Sequence, residues 1–136
     1  MAGPTAEITL RWKGGLVFAG GGAGRPPATV DGDSQEGTSP VEMLLVAAAA
    51  CTGSDIVPIL EKQRVKVRSL EVAVTGTRRE EHPRRFTAMH FRWRIAGDGV
   101  DETKARRAID LSLEKYCSVV ASLAPDIRIS YDVAIV

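Results

Sequence analysis

Ser39-Pro40-Val41-Glu42-Met43-Leu44-Leu45-Val46-Ala47-Ala48-Ala49-Ala50-Cys51-Thr52-Gly53 is the stretch that decides the fold. Ser39 can cap a helix, and Pro40 suits the first helical position, whose N–H would lack an intrahelical partner anyway. Glu42 completes an S-x-x-E capping box. From Met43 to Leu60 polar residues nearly vanish, so the pattern predicts a helix running to about Arg64 and buried nearly all round. The alanines at 47–50 let another helix approach closely. Gly53 and Pro58 are both poor inside a helix and predict a bend.

On the N-terminal side, Glu7 to Arg11 and Leu16 to Ala19 read as short strands joined at Lys13-Gly14-Gly15. Ala28 to Asp31 reads as a third. Between them, Gly20 to Pro27 is a loop; it has neither the Lys-Ser/Thr ending nor the following helix of a phosphate loop. On the C-terminal side, Val67 to Arg78 and Arg85 to Ala96 alternate with a period of two, as in a half-solvated hairpin. In the latter, Thr87, Met89, Phe91, Trp93 and Ile95 make one face, and Phe86, Ala88, His90, Arg92 and Arg94 the other. An amphipathic helix from Asp101 through Lys115 follows, with Ala105, Ala108, Ile109, Leu111 and Ser112 on its apolar stripe. Ile127 to Ile135 closes the chain as a strand.

The order βββ-α-ββ-α-β segregates strands from helices. It predicts an α+β fold, one domain over residues 1–136, with antiparallel sheets around a long central helix. A chain this size offers few strands and one more helix to cover a helix with no polar face. A second copy is the simplest cover, so the pattern predicts an obligate homodimer.

The formal net charge is +1, which gives no general attraction to nucleic acid or anionic lipid. Arg78, Arg79, Arg84 and Arg85 flank Glu80-Glu81 and read as a solvated, mutually neutralising turn. Met1-Ala2-Gly3-Pro4 carries no basic or apolar leader pattern, and Val41 to Leu60 is interrupted by Glu42, Asp55 and Pro58. The expectation is a cytoplasmic protein without a membrane span. In a reducing compartment its two cysteines are reactive or buried rather than a structural disulfide.

Any chemistry therefore rests on Cys51 and Cys117. Beside Cys51, the polar residues Thr52, Ser54 and Asp55 interrupt an otherwise apolar helix. Asp55 lies one turn on, on the same face as Cys51, and a buried carboxylate needs a partner. Cys117 stands at the end of the second helix, where the helix dipole disfavours a thiolate. Packing is the bland reading of both, because free cysteine is among the most buried residue types. Their separation excludes a C-x-x-C zinc or redox motif, and His82 and His90 show no ligand spacing. Neither metal nor cofactor is expected.

At Ser39-Pro40-x-Glu42-x-Leu44-Leu45, at Ala50-Cys51-Thr52-Gly53-x-Asp55 and at Ser112-x-Glu114-Lys115-Tyr116-Cys117-Ser118-Val119, the chain resembles the OsmC/Ohr family. The match runs from Ile8 to the C-terminus and looks like the OsmC-like branch with C-x-x-x-D and E-K-Y-C-S. The resemblance implies an intertwined homodimer and thiol-dependent reduction of organic hydroperoxides or hydrogen peroxide. It makes Cys51 the attacking cysteine, oxidised to a sulfenic acid. Cys117 is then the resolving cysteine, forming a Cys51–Cys117 disulfide that an external thiol reduces.

Two departures stand out. The family's catalytic glutamate maps onto Glu42, nine residues before Cys51 and so about half a turn out of phase on an ideal helix. Glu42 also fits a plain capping role. The family's catalytic arginine has no secure match, because Lys13-Gly14-Gly15 joins the first two strands; Arg11 and Arg25 are the nearest binding candidates, alongside Asp55. Without a cation, burial and an ionised Asp55 would both raise Cys51. Two rivals stay open: a binding module whose cysteines line a pocket for an apolar ligand, and a redox-sensing stress protein without turnover.

Overall fold

A computed structural model describes residues 2–136. Two compact units make up the chain, Met1–Leu44 and Leu45–Val136.

The first unit is an antiparallel meander of β1 (Thr9–Gly14), β2 (Val17–Gly21) and β3 (Ala28–Asp31). Gly14 and Gly15, at φ of 111° and 55°, make the β1–β2 turn, which lies in the left-handed region that glycine enters at no steric cost. Asp31 closes the meander: its carboxylate accepts N–H bonds from Asp33, Gln35 and Glu36, and they hold it below the usual carboxylate range. Ile8, Leu10 and Trp12 alternate along one face and stay exposed.

α1 (Pro40–Lys62) opens with the predicted capping box. Glu42 N–H donates to Ser39 Oγ at 3.2 Å, and Ser39 N–H donates to Glu42 Oε1 at 3.1 Å. The helix then runs uninterrupted through Gly53 and Pro58. Within one chain only the stripe Ala48, Thr52, Ile56 and Leu60 is buried, while Val46 is 50% exposed. A single sheet can cover only one stripe of a helix, and the rest of the expected burial falls to other cover. The expectation that no segment could span a membrane is corrected: α1 is long and apolar enough by length and composition. Core helices share that property, and the buried stripe of α1 belongs to the main apolar cluster.

The second unit packs this stripe on a sheet of β4 (Lys66–Arg78), β5 (Phe86–Asp98) and β6 (Arg128–Ile135). Met89, Phe91, Trp93 and Ile95 of β5 are buried as predicted, with Val72 and Val133 flanking Trp93 in register. Gly76 of β4 is required by close approach, since a Cβ there would lie 2.5 Å from the Phe86 ring. Phe86 itself is a correction: it is buried, not on the polar face. Arg78 pairs with Phe86 and Thr77 with Ala88, so Thr87 is an extra residue and the bulge puts Phe86 on the same side as Met89. The turn arginines are also tied down, because Arg78 Nε and Arg79 Nε each donate to turn carbonyls at 2.7 Å.

The expectation of purely antiparallel sheets fails at β6, which pairs parallel to β5. Between them the chain runs through α2 (Glu102–Leu111), a π-helical turn (Ser112–Tyr116) and α3 (Ser118–Ala121). A helical crossover of that kind returns the chain to the starting end of β5, which makes the next strand parallel. The fold class remains mixed α+β. Asp101 caps α2, accepting the Lys104 N–H at 2.8 Å. Tyr131 of β6 holds α2 from below: its hydroxyl donates to Asp110 at 2.7 Å, and the Arg106 guanidinium lies over its ring.

Candidate active site

The second unit brings the two cysteines together, although 66 positions separate them in the sequence. Both are free thiols, Cys51 half-buried on α1 and Cys117 buried. The reason lies in how α2 ends. An α-helix would bond the Cys117 N–H to residue 113, but here it donates to the Ser112 carbonyl at 2.8 Å, one residue further back. The π turn therefore rotates Cys117 relative to the α2 stripe. Cys117 then leaves helical geometry at φ −72° and ψ 101° and starts α3.

Ser112 anchors this irregular turn. Its hydroxyl, fully buried, donates to Asp55 Oδ2 at 2.8 Å. So the carboxylate read as a neighbour of Cys51 has its observed partner on the other helix, where it fixes the segment that carries the second cysteine. A buried serine with this partner satisfies both groups.

Next to Cys51 in the chain stands Thr52, fully buried. Its Oγ1 lies 2.9 Å from the Ala48 carbonyl oxygen and 3.4 Å from Cys117 Sγ. Cys117 Sγ also accepts the Val120 N–H at 3.4 Å. Burial pushes the Cys117 thiol above the ordinary value; Thr52 and Val120 act in the opposite direction, and Cys51 lies close enough to raise it again. The thiol is raised as expected, but the cause is burial and not the helix dipole. Cys117 does not face a bare helix C-terminus; it accepts an N–H from the turn that it starts.

The other sequence candidates fall elsewhere. The structure gives Glu42 to the capping box, and the Ser39 N–H and hydroxyl lower its carboxyl below the usual range. Arg11 and Arg25 belong to the first unit, where with Lys13, the end of β2 and the following Gly22 and Ala23 they line a cleft of about 430 Å³. His90 bonds Ser130 and Asp132 on the outer face of the β5–β6 pair. Among the described residues no three His, Cys, Asp or Glu side chains converge to hold a metal. Thr52 was missed as a site residue, although its hydroxyl interrupting an apolar helix beside Cys51 was the available signal.

Ser54, Asp55, Pro58, Ile59 and Lys62 of α1 face Arg107 and Leu111 of α2 and Tyr116 across a groove of about 440 Å³ that neither cysteine lines. Lys62 and Arg107 put positive charge at one end, and Asp55 sits a turn from Cys51.

A family model described as OsmC-like protein matches residues 32–132, and the chain belongs to this OsmC-like family. Among its relatives, Protein YhfA of Escherichia coli strain K12 is 39% identical over 131 residues, covering 96% of this chain and 98% of its own. A hypothetical protein from Aquifex aeolicus VF5 superposes with a TM-score of 0.84 at 30% identity over 98% of both chains. The organic hydroperoxide resistance protein OhrB of Bacillus subtilis shares the fold, with a TM-score of 0.62 at 18% identity over 96% of this chain and 98% of its own.

Proposed function

We propose that this protein is a homodimeric, cytoplasmic thiol peroxidase that reduces organic hydroperoxides or hydrogen peroxide. The observation that carries the reading is the contact of Thr52, the residue after Cys51 on α1, with Cys117 Sγ at 3.4 Å, which seats the second thiol against the helix that carries the first. In the first step the Cys51 thiolate attacks a peroxide oxygen, the O–O bond breaks, and the alcohol or water leaves with a proton. The sulfur becomes a sulfenic acid. In the second step the Cys117 thiolate attacks that sulfur. The S–O bond breaks, hydroxide takes up the proton released by Cys117 and leaves as water, and a disulfide forms. An external thiol then returns both sulfurs to the reduced state by exchange.

Family membership supports the reading, as does the shared fold of proteins named for organic hydroperoxide resistance. The exposed apolar residues Ile8, Leu10, Trp12 and Val46 support a second copy of the chain as cover. Peroxide consumption by the reduced protein, with an excess of dithiol, is the direct test. Wild type should turn over, and Cys51→Ser should not. A Cys51→Ser variant that consumes peroxide as fast as wild type would remove the enzyme reading and favour a ligand-binding or sensing role. Sedimentation separately tests dimerisation: a stable folded monomer contradicts the proposed interface.

A further inference from the structure

The Thr52 hydroxyl has one proton and two neighbours able to take it, the Ala48 carbonyl at 2.9 Å and Cys117 Sγ at 3.4 Å. It cannot donate to both at once. While Cys117 is a thiol its sulfur is a weak acceptor, so the nearer Ala48 carbonyl takes the larger share of the Thr52 proton. When Cys117 loses its proton, an acceptor-only sulfur remains, buried to 3% relative exposure. Rotation of the Thr52 hydroxyl then turns its proton onto that sulfur. The Ala48 carbonyl is not orphaned by the change, because it keeps the helical N–H of Thr52 itself.

We propose that Thr52 is a catalytic residue of the resolving step: its hydroxyl switches from the Ala48 carbonyl to the Cys117 thiolate and stabilises the nucleophile that attacks the Cys51 sulfenic acid. The inference rests on the peroxidase reading for its role in turnover. The donor switch itself is a property of the thiol and can be measured without peroxide. Thr52 is suited to it by position. It follows Cys51 directly on α1, and the Asp55–Ser112 bond one turn further along the same helix holds the π turn that sets Cys117 against it. The titratable group acting on Cys117 is Cys51, also on α1; Asp55 is engaged by Ser112, and Glu114, Lys115 and Tyr116 of the π turn are exposed. The Val120 N–H is a second donor that stays in place in either state.

Four predictions separate this from a packing role. In a Cys51→Ser background, ultraviolet titration of the remaining thiolate should show Thr52→Val raising the apparent Cys117 pKa by about one to two, the worth of one hydrogen bond to a charged group. Thr52→Ser should leave it near the parent value. In the protein with both cysteines, disulfide formation after a single peroxide addition should slow by about ten- to hundredfold at neutral pH in Thr52→Val and recover as pH rises. Formation of the Cys51 sulfenic acid, trapped with a dimedone probe, should keep its wild-type rate. Thr52→Val and parent titrations that superimpose would overturn the proposal, as would a Thr52→Ser variant displaced as far as Thr52→Val. Absence of sulfenic acid in Cys117→Ser would instead sink the peroxidase reading, and the titration would still decide the switch.

Discussion

Cys51 lies within an uninterrupted helix, whereas Cys117 lies where one helix gives way to a π turn and another begins. The backbone around Cys51 is fixed by its own i→i+4 ladder and by a buried stripe against the sheet. The backbone around Cys117 needs help from outside its own segment: Ser112 bonded to Asp55, Thr52 at the sulfur, and the Val120 N–H. Regular structure places the first thiol, and side-chain chemistry from α1 places the second. The setting of Cys51 should therefore tolerate changes in hydrogen bonding that the setting of Cys117 should not.

The sharpest way to break this comparison is to remove each sulfur in turn. Cys51→Ser should lower peroxide consumption by roughly a thousandfold or more, as expected for loss of a nucleophile. Cys117→Ser should still reduce one equivalent of peroxide and then stop at a sulfenic acid, seen as a one-equivalent burst. Identical kinetics in the two variants would mean that the helices do not assign separate roles.

Asp55→Ala should come next. It leaves the buried Ser112 hydroxyl without its acceptor and should cost about 1.5–3 kcal/mol in urea unfolding, the range for a hydrogen bond to a charged group. It should also slow disulfide formation more than sulfenic acid formation, because its target is the segment carrying Cys117. A smaller effect is expected at the other end of α1. Ser39→Ala removes the cap and should cost about 1 kcal/mol while leaving both thiol steps unchanged.

Two pH effects should be smaller still and of opposite sign. The Asp31 carboxyl is lowered in the folded chain, so its contribution to stability is present above the ordinary carboxylate value. It is lost as pH falls through the lowered one. The Cys117 thiol is raised, so its contribution is full below the ordinary thiol range and is lost as pH rises through the raised value. Unfolding midpoints of Asp31→Asn and Cys117→Ala across pH would resolve both.

Much of the regular structure could be read from residue pattern. β3 spans Ala28–Asp31 as read between its flanking loops, and the Ser39–Glu42 box starts α1 where a capping box should. The misses have physical causes. Alternation shows which face a residue takes until a bulge shifts the count, as Thr87 does for Phe86. A strand's direction is set by the connection before it, so the parallel β6 does not show in its own residues. A π turn has no hydrophobic period of its own, and the segment Ser112–Tyr116 therefore read as a continuation of α2. Cys51 and Cys117 stood out by being the chain's two thiols. Asp55 stood out as polar inside an apolar helix, but its partner Ser112, 57 positions away, could be found only in three dimensions.

The central claim is that these two thiols act as a pair. Reduced protein treated with one equivalent of cumene hydroperoxide, quenched with an alkylating agent and digested, should yield a Cys51–Cys117 cross-linked peptide by mass spectrometry. Recovery of both cysteines as alkylated, unlinked peptides after the peroxide is gone would contradict the account.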